Sequence, residues 1–333
     1  MANTSGKQIR QLSIIIAITA ALILLPEFFL VLIGYEPDQD TFQMKVSGEL
    51  IGQFDEELFW RLKDVKPQYN CKPKQRCLKI MCLTDSVSVM YKGKGYPEIL
   101  QKMLSSRIPM KNPIVFNGGV PGYTSYQGLR YFKTELLAYR PDIIIVCYGW
   151  NDHWQSGNGL PDKLQRTKRE TSNIFPRTIG LINHLLFRIK QNNYSYVGPQ
   201  ESMRVSITDY EKNLRDILRI GKMARITTVL MTAPSLDGPQ EWTATHQDYN
   251  RVVRKISKEE KLPIVDLVQE FHNREDLFID PVNDKCHYNW KGSKIIARTL
   301  FETILKIIEL KPSKHALAGT PTLPTAFVID EHP

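Results

Sequence analysis

Thr84-Asp85-Ser86 and, far downstream, Asp284-Lys285-Cys286-His287 hold the residue types that acyl transfer through a serine requires. A serine hydroxyl is a poor nucleophile at neutral pH and needs a base within hydrogen-bond reach. His287 fits that need, because Asp284, three residues earlier, can hold one ring nitrogen while the other faces Ser86. Attack on an ester creates an oxyanion, and two further segments carry donors for it: Asn117-Gly118-Gly119-Val120-Pro121-Gly122-Tyr123-Thr124-Ser125 and Gly149-Trp150-Asn151-Asp152. The expected oxyanion donors are the Ser86 and Gly122 backbone N–H groups and the Asn151 side-chain amide. Losing one such donor typically costs about 3–4 kcal/mol of barrier. Gly122 suits the task because no Cβ blocks the approach of substrate.

Each fragment has a plainer reading. Asp-Ser after a strand is commonly a turn or helix cap, Gly-x-Asn-Asp a tight turn, and Asp284 with His287 a surface pair. His153, beside Asp152, is the rival base, and it could equally line a pocket or bind a metal with Asp152. No Cys/His or two-His spacing of a zinc site is found, so neither metal nor cofactor is expected.

The elements that must position these residues are legible as apolar runs. Lys79 to Leu83 ends just before Thr84, Ile114 to Phe116 runs into Asn117, and Ile143 to Cys147 runs toward Gly149. Three expected strands thus deliver a motif at their carboxyl ends, the edge at which open α/β sheets bind ligands. Thr227 to Met231 and Leu262 to Val265 are further strands. Helical spacing marks Leu129, Phe132 and Leu136, then Tyr210, Leu214, Ile217 and Leu218, with Thr208 and Glu211 spaced as a capping box. A last helix would turn Ile295, Ile296, Leu300, Ile304 and Ile308 inward. Strands alternating with helices predict a three-layer α/β/α domain around a parallel, flavodoxin-like sheet.

In this order, the four motifs resemble the conserved blocks of the SGNH branch of the GDSL hydrolases, over residues 77–310. Asp85-Ser86 matches the first block, with Thr84 in the place of its glycine. Gly122, Asn151, and the pair Asp284 and His287 match the rest. The resemblance implies the SGNH hydrolase fold and ester hydrolysis by a Ser86, Asp284, His287 triad, with Ser86, Gly122 and Asn151 as the oxyanion hole. The substrate class is an acyl ester, either an O-acetylated polysaccharide or a lipid ester. Acyl transfer to a sugar hydroxyl would use the same residues. A non-catalytic glycan- or lipid-binding member is the alternative, with Thr84 as its mark: if its position needs positive φ, a β-branched residue would strain Ser86.

Composition adds limits. The 333 residues carry a net charge of +9, without a Lys/Arg block interleaved with aromatics, so nucleic acid is not an expected partner. Lys7 and Arg10, in a cytoplasmic segment 1–11, precede an apolar stretch over 12–34 that is long enough for a membrane anchor, although Pro26 and Glu27 interrupt it. No small-x-small cleavage site follows, which favours an anchor over a signal peptide. The positive flank then keeps the amino terminus inside and exports the catalytic domain; a secreted protein is the alternative. Residues 35–76 are an extension in which Phe59, Trp60 and Leu62 suggest a strand or packing arm. Trp154 to about Gln200 reads as an insertion of the lid type, and 311–333 as a flexible tail. Among five cysteines, Cys82 and Cys147 fall in strands, and Cys71 with Cys77 could close a disulfide in an oxidising compartment. Cys286 is expected to point away from its neighbour His287.

Overall fold

The computed structural model describes residues 2–35, 45–46, 49–50, 52–55, 57–62, 71, 76–89, 95–155, 161–165, 177–178, 181–182, 203–236 and 240–310. A helix α1 (Ala2–Leu32) precedes two antiparallel pairs, β1 (Lys45–Val46) with β2 (Glu49–Leu50) and β3 (Gly52–Asp55) with β4 (Phe59–Leu62). The body is a parallel sheet of β5 (Leu78–Thr84), β6 (Pro113–Asn117), β7 (Ile143–Cys147), β8 (Thr227–Met231) and β9 (Ile264–Val265). Its spatial order, β6-β5-β7-β8-β9, is the flavodoxin-like one. Among the described residues, the helices after α1 include α2 (Tyr96–Arg107), α3 (Ser125–Thr134), α4 (Ile207–Met223), α5 (Gln240–Glu260), α6 (Val268–Phe271) and α7 (Trp290–Leu310).

Strand side chains alternate between faces, and here both faces are apolar. Ile80 and Cys82 of β5, Ile143, Ile145 and Cys147 of β7, and Val229 and Met231 of β8 share one core with Leu100 and Leu104 of α2 and Ile296, Leu300 and Ile304 of α7. Met81, Leu83, Ile144, Val146 and Leu230 share the other with Phe132 of α3, Leu214 and Ile217 of α4, and Val253 and Ile256 of α5. Helices therefore cover both faces, which makes the expected three layers. Each fully buried Leu or Ile contributes about 1.5–3 kcal/mol by leaving water.

Several local expectations change. The cap of α4 is Ser206, whose Oγ accepts from Asp209 N–H, so the Thr208/Glu211 box is not used. The capping box that does form is Thr124 with Gln127 at the start of α3. Leu136 lies in a separate 3-10 turn, Leu136–Tyr139. The last strand shortens to Ile264–Val265, because Leu262 N–H closes the end of α5 on Ser257 O and Pro263 has no N–H to give.

Residues 12–34 fall largely within α1, but among the described residues no helix is long and apolar enough to cross a membrane. The expected membrane helix is not supported. Pro26 lies inside α1, and the Glu27 carboxylate accepts from Thr178 N–H and Oγ–H, both at 2.8 Å. A carboxylate in a span is costly. Cys71 and Cys77 are joined as a disulfide. The tail 311–333 and most of the insertion between Trp154 and Gln200 lie outside the described residues.

Candidate active site

Ser86 sits where β5 ends. Asp85 closes the strand and caps the 3-10 turn Ser86–Ser88, its Oδ1 accepting from Val87 N–H at 3.0 Å. This turn holds the Ser86 hydroxyl at the sheet's carboxyl edge, 2.8 Å from His287 Nε2. His287 Nδ1 lies 2.7 Å from Asp284 Oδ2. A carboxylate accepts only, so Nδ1 carries the ring proton and Nε2 is left to accept from the serine. Asp284 Oδ1 also accepts from the Cys286 and His287 N–H groups, each at 3.1 Å. Burial pushes the Asp284 carboxyl up, but its bonds from the His287 ring and these two amides outweigh that and hold it well below the usual carboxylate range.

The loop after β6 reaches the same edge. Asn117 Oδ1 accepts from Ser88 Oγ at 2.8 Å and from Gly119 N–H at 3.0 Å, and Val120 N–H donates to Thr84 O at 3.2 Å. Gly119 must be glycine: a Cβ there would lie 2.0 Å from Ser88 Oγ and 2.8 Å from Asp85 O. Gly122 has φ +79°, which favours glycine, and its missing Cβ leaves room for the Trp60 ring. Asn151, after β7, joins the two loops, donating from Nδ2 to Asp85 Oδ2 at 3.1 Å and to Tyr123 O at 3.0 Å. Among the described residues, neither the Ser86 nor the Gly122 backbone N–H donates to another protein group.

His153 is held elsewhere. Its Nε2 lies 3.1 Å from His246 Nδ1, and His246 Nε2 lies 2.6 Å from Ala233 O. A carbonyl only accepts, so His246 is protonated on Nε2 and His153 donates from its own Nε2. Burial drives both rings toward the neutral form, His246 to about 4. The Asp152 carboxylate accepts from Ser125 N–H at 2.9 Å, Ser125 Oγ at 2.5 Å and Gly149 N–H at 3.1 Å. Asp152 is thus engaged in holding Gly149 and the start of α3, and His153 in its contact with His246.

Two groups escaped the sequence reading, and a third stands otherwise than expected. Arg204 donates to Gly122 O at 2.8 Å and to Gln127 Oε1 at 2.8 Å, pairs with Asp162, and lies over the Trp60 ring. Tyr123 Oη donates to Trp60 O at 2.5 Å, so β4 of the extension braces the loop that carries Gly122. Nothing in local spacing could reveal these long-range partners. The third is Cys286. Its Sγ lies 3.4 Å from His287 Nδ1 and 3.4 Å from Asp284 Oδ1, so it faces the histidine rather than pointing away. The cause is the wrap of residues 284–287 around the Asp284 carboxylate.

Residues 83–295 match the GDSL-like lipase/acylhydrolase family, and the chain belongs to it. It is accordingly an ester-bond hydrolase. No curated protein matches the chain. Similar solved structures include Axe2, an acetylxylan esterase from Geobacillus stearothermophilus, at 20% identity and a TM-score of 0.48 over 70% of this chain and 96% of that one. The acetyl xylan esterase AlAXEase is similar at 14% identity and 0.47, over 68% and 99%. LAE5, an alpha/beta hydrolase from the metagenome of Lake Arreo, Spain, is similar at 16% identity and 0.46, over 68% and 95%.

Proposed function

We propose that the protein cleaves acyl esters with Ser86 as nucleophile, His287 as general base and then acid, and Asp284 as the group that fixes the imidazole. The observation that carries this reading is the unbroken line of contacts from Ser86 Oγ through His287 to Asp284, at 2.8 and 2.7 Å. In the first step Ser86 Oγ bonds to the acyl carbon while its proton moves to His287 Nε2. That proton then goes to the departing alcohol. Water repeats the sequence to release the acid. The oxyanion would be met by the Ser86 and Gly122 N–H groups and by Asn151, one of whose amide hydrogens turns from the Tyr123 carbonyl to the substrate oxygen. The substrate is an O-acetylated polysaccharide or a lipid ester. If a sugar hydroxyl replaces water, the same residues perform acyl transfer.

We place the domain outside the cytoplasm, tethered by the amino-terminal helix. The Cys71–Cys77 bridge favours an oxidising compartment, and exposed apolar side chains along α1, among them Leu22, Leu25 and Phe28, favour contact with lipid. A fluorophosphonate probe tests the chemistry. Labelling of Ser86, and loss of short p-nitrophenyl ester hydrolysis by several orders of magnitude in a folded Ser86→Ala variant, is the expected result. Unchanged turnover in that variant would remove Ser86 as nucleophile.

A further inference from the structure

Asp284, Cys286 and His287 place a carboxylate oxygen, a thiol sulfur and an imidazole nitrogen within 4.8 Å of one another. We propose that they form a binding site for a thiophilic divalent cation, zinc or cadmium, and that its occupation shuts the esterase off. The binding claim rests on donor geometry alone; the inhibitory claim rests also on His287 being the base.

The donor set suits such an ion. Zinc takes thiolate sulfur at about 2.3 Å and imidazole nitrogen or carboxylate oxygen at about 2.0–2.2 Å, which sets tetrahedral ligand atoms roughly 3.3–3.7 Å apart. Cys286 Sγ already stands 3.4 Å from His287 Nδ1 and 3.4 Å from Asp284 Oδ1. The contact that must open is the 2.7 Å one between His287 Nδ1 and Asp284 Oδ2. All three ligands come from one loop whose ends are fixed: Leu236 N–H donates to Lys285 O and Ile279 N–H to His287 O, each at 3.0 Å. The side chains of His287 and Asp284 are 19% and 26% exposed, so the site has an entrance.

The local field favours a cation. Two carboxylates, Asp284 and Asp85, act on the Cys286 thiol. The same two carboxylates attract a dication, and a coordinated thiol is deprotonated outright. On binding, the thiol proton leaves to solvent, the sulfur and His287 Nδ1 each donate a lone pair to the metal, and the ring proton moves from Nδ1 to Nε2. A proton on Nε2 leaves no lone pair to receive the Ser86 proton, so the first chemical step is blocked while the fold persists.

Cadmium titrated into the purified protein, with its disulfide intact, gives a direct readout that needs no activity. A thiolate-to-cadmium charge-transfer band should saturate at one equivalent, ester hydrolysis should fall with the same midpoint, and a chelator should restore it. Cys82 and Cys147 are buried, leaving Cys286 as the accessible thiol among the described residues. In Cys286→Ser the band should vanish, and the inhibitory midpoint, taken against that variant's own metal-free rate, should rise at least about tenfold. Absence of the band in the parent protein, or an unchanged midpoint in Cys286→Ser, would overturn the site. A saturating band with undiminished hydrolysis would leave the site standing and overturn its inhibitory role.

Discussion

Asp85 and Asp152 are buried carboxyls whose protonation couples the site to pH. Burial pushes Asp85 up to about 6 and Asp152 to about 7, against the hydrogen bonds from Val87 and Ser125 that favour their charged forms. The unfolded chain releases these protons near pH 4, so from about pH 4 to 7 the folded state holds more protons than the unfolded one. These two carboxyls therefore stabilise most at the low end of that window, a contribution that declines as pH rises by at most about 1.4 kcal/mol per pH unit for each, while His153 and His246, held neutral by burial, act in the opposite direction below their unfolded value near 6.5. The lowered carboxyls Asp284 and Asp266 act in the opposite direction, but only below their unfolded value near 4. Urea midpoints of the parent and of Asp152→Asn across the window isolate the carboxyl contribution: the parent should lose ground to the variant as pH rises from about 4 to 7, and a parent that gains on it would contradict this. Thr84 gives a second test. It is the last residue of β5, absent from the positive-φ residues, so it carries no backbone strain. Its Oγ lies 2.6 Å from Ser88 Oγ, and Ser88 gives its own proton to Asn117 Oδ1, so Thr84 is the donor. Thr84→Val removes one buried hydrogen bond and should cost about 1 kcal/mol. Thr84→Gly also empties a fully buried position in a strand, and should cost more and slow hydrolysis rather than raise it. Thermal or urea unfolding of both variants, with kcat/KM on one acetyl ester, decides between these outcomes. Ser86, Asp284 and His287 were legible because each sits in a short motif at a strand or loop end. Thr84's hydroxyl bond, Arg204 and the Cys286 contact were not, because each depends on a partner or a loop wrap that spacing does not encode.

At the scale of elements, the close approach of α3 to the end of β7 is set by Gly128. A Cβ on Gly128 would fall 2.3 Å from the ring and hydroxyl of Tyr148, a side chain 1% exposed and without room to retreat. Gly128→Ala would gain up to about 1 kcal/mol of helix propensity, but overpacking a dense core costs about 1–3 kcal/mol or more. The expected sign is net destabilisation, and α3 should lift from the sheet. Because α3 begins directly after the Gly122–Thr124 loop, hydrolysis should fall as well. A variant more stable than the parent would show that this packing yields easily. The strands themselves were readable with little error, since β5, β7 and β8 are continuous apolar runs and a parallel sheet buried on both faces needs such runs. The caps were less readable: Ser206 with Asp209 and Thr208 with Glu211 offer the same side-chain chemistry two residues apart, and only the packing of Tyr210, Leu214 and Ile217 onto the sheet selects the first register.

For the molecule as a whole, the open issue is how the esterase domain meets its surroundings. Lys7 and Arg10 lie in the first turns of α1, a helix of 31 residues, along which Ile14, Ile15, Ile18, Leu22, Leu25, Phe28 and Phe29 are each at least half exposed. Glu27 opposes insertion, yet its carboxylate is satisfied by Thr178 and by Arg177 N–H at 3.2 Å rather than left bare. The proposed tether rests on this exposed apolar surface, and the proposed outer placement of the domain on the positive charges at its start. The full-length chain should therefore fractionate with membranes and resist extraction by alkaline carbonate, which strips proteins held by charge alone. A protease added outside the cytoplasm should digest the esterase domain. Release by carbonate would reduce α1 to a surface-lying helix, and recovery of the full-length chain in the soluble cytosolic fraction would remove both the tether and the exported orientation.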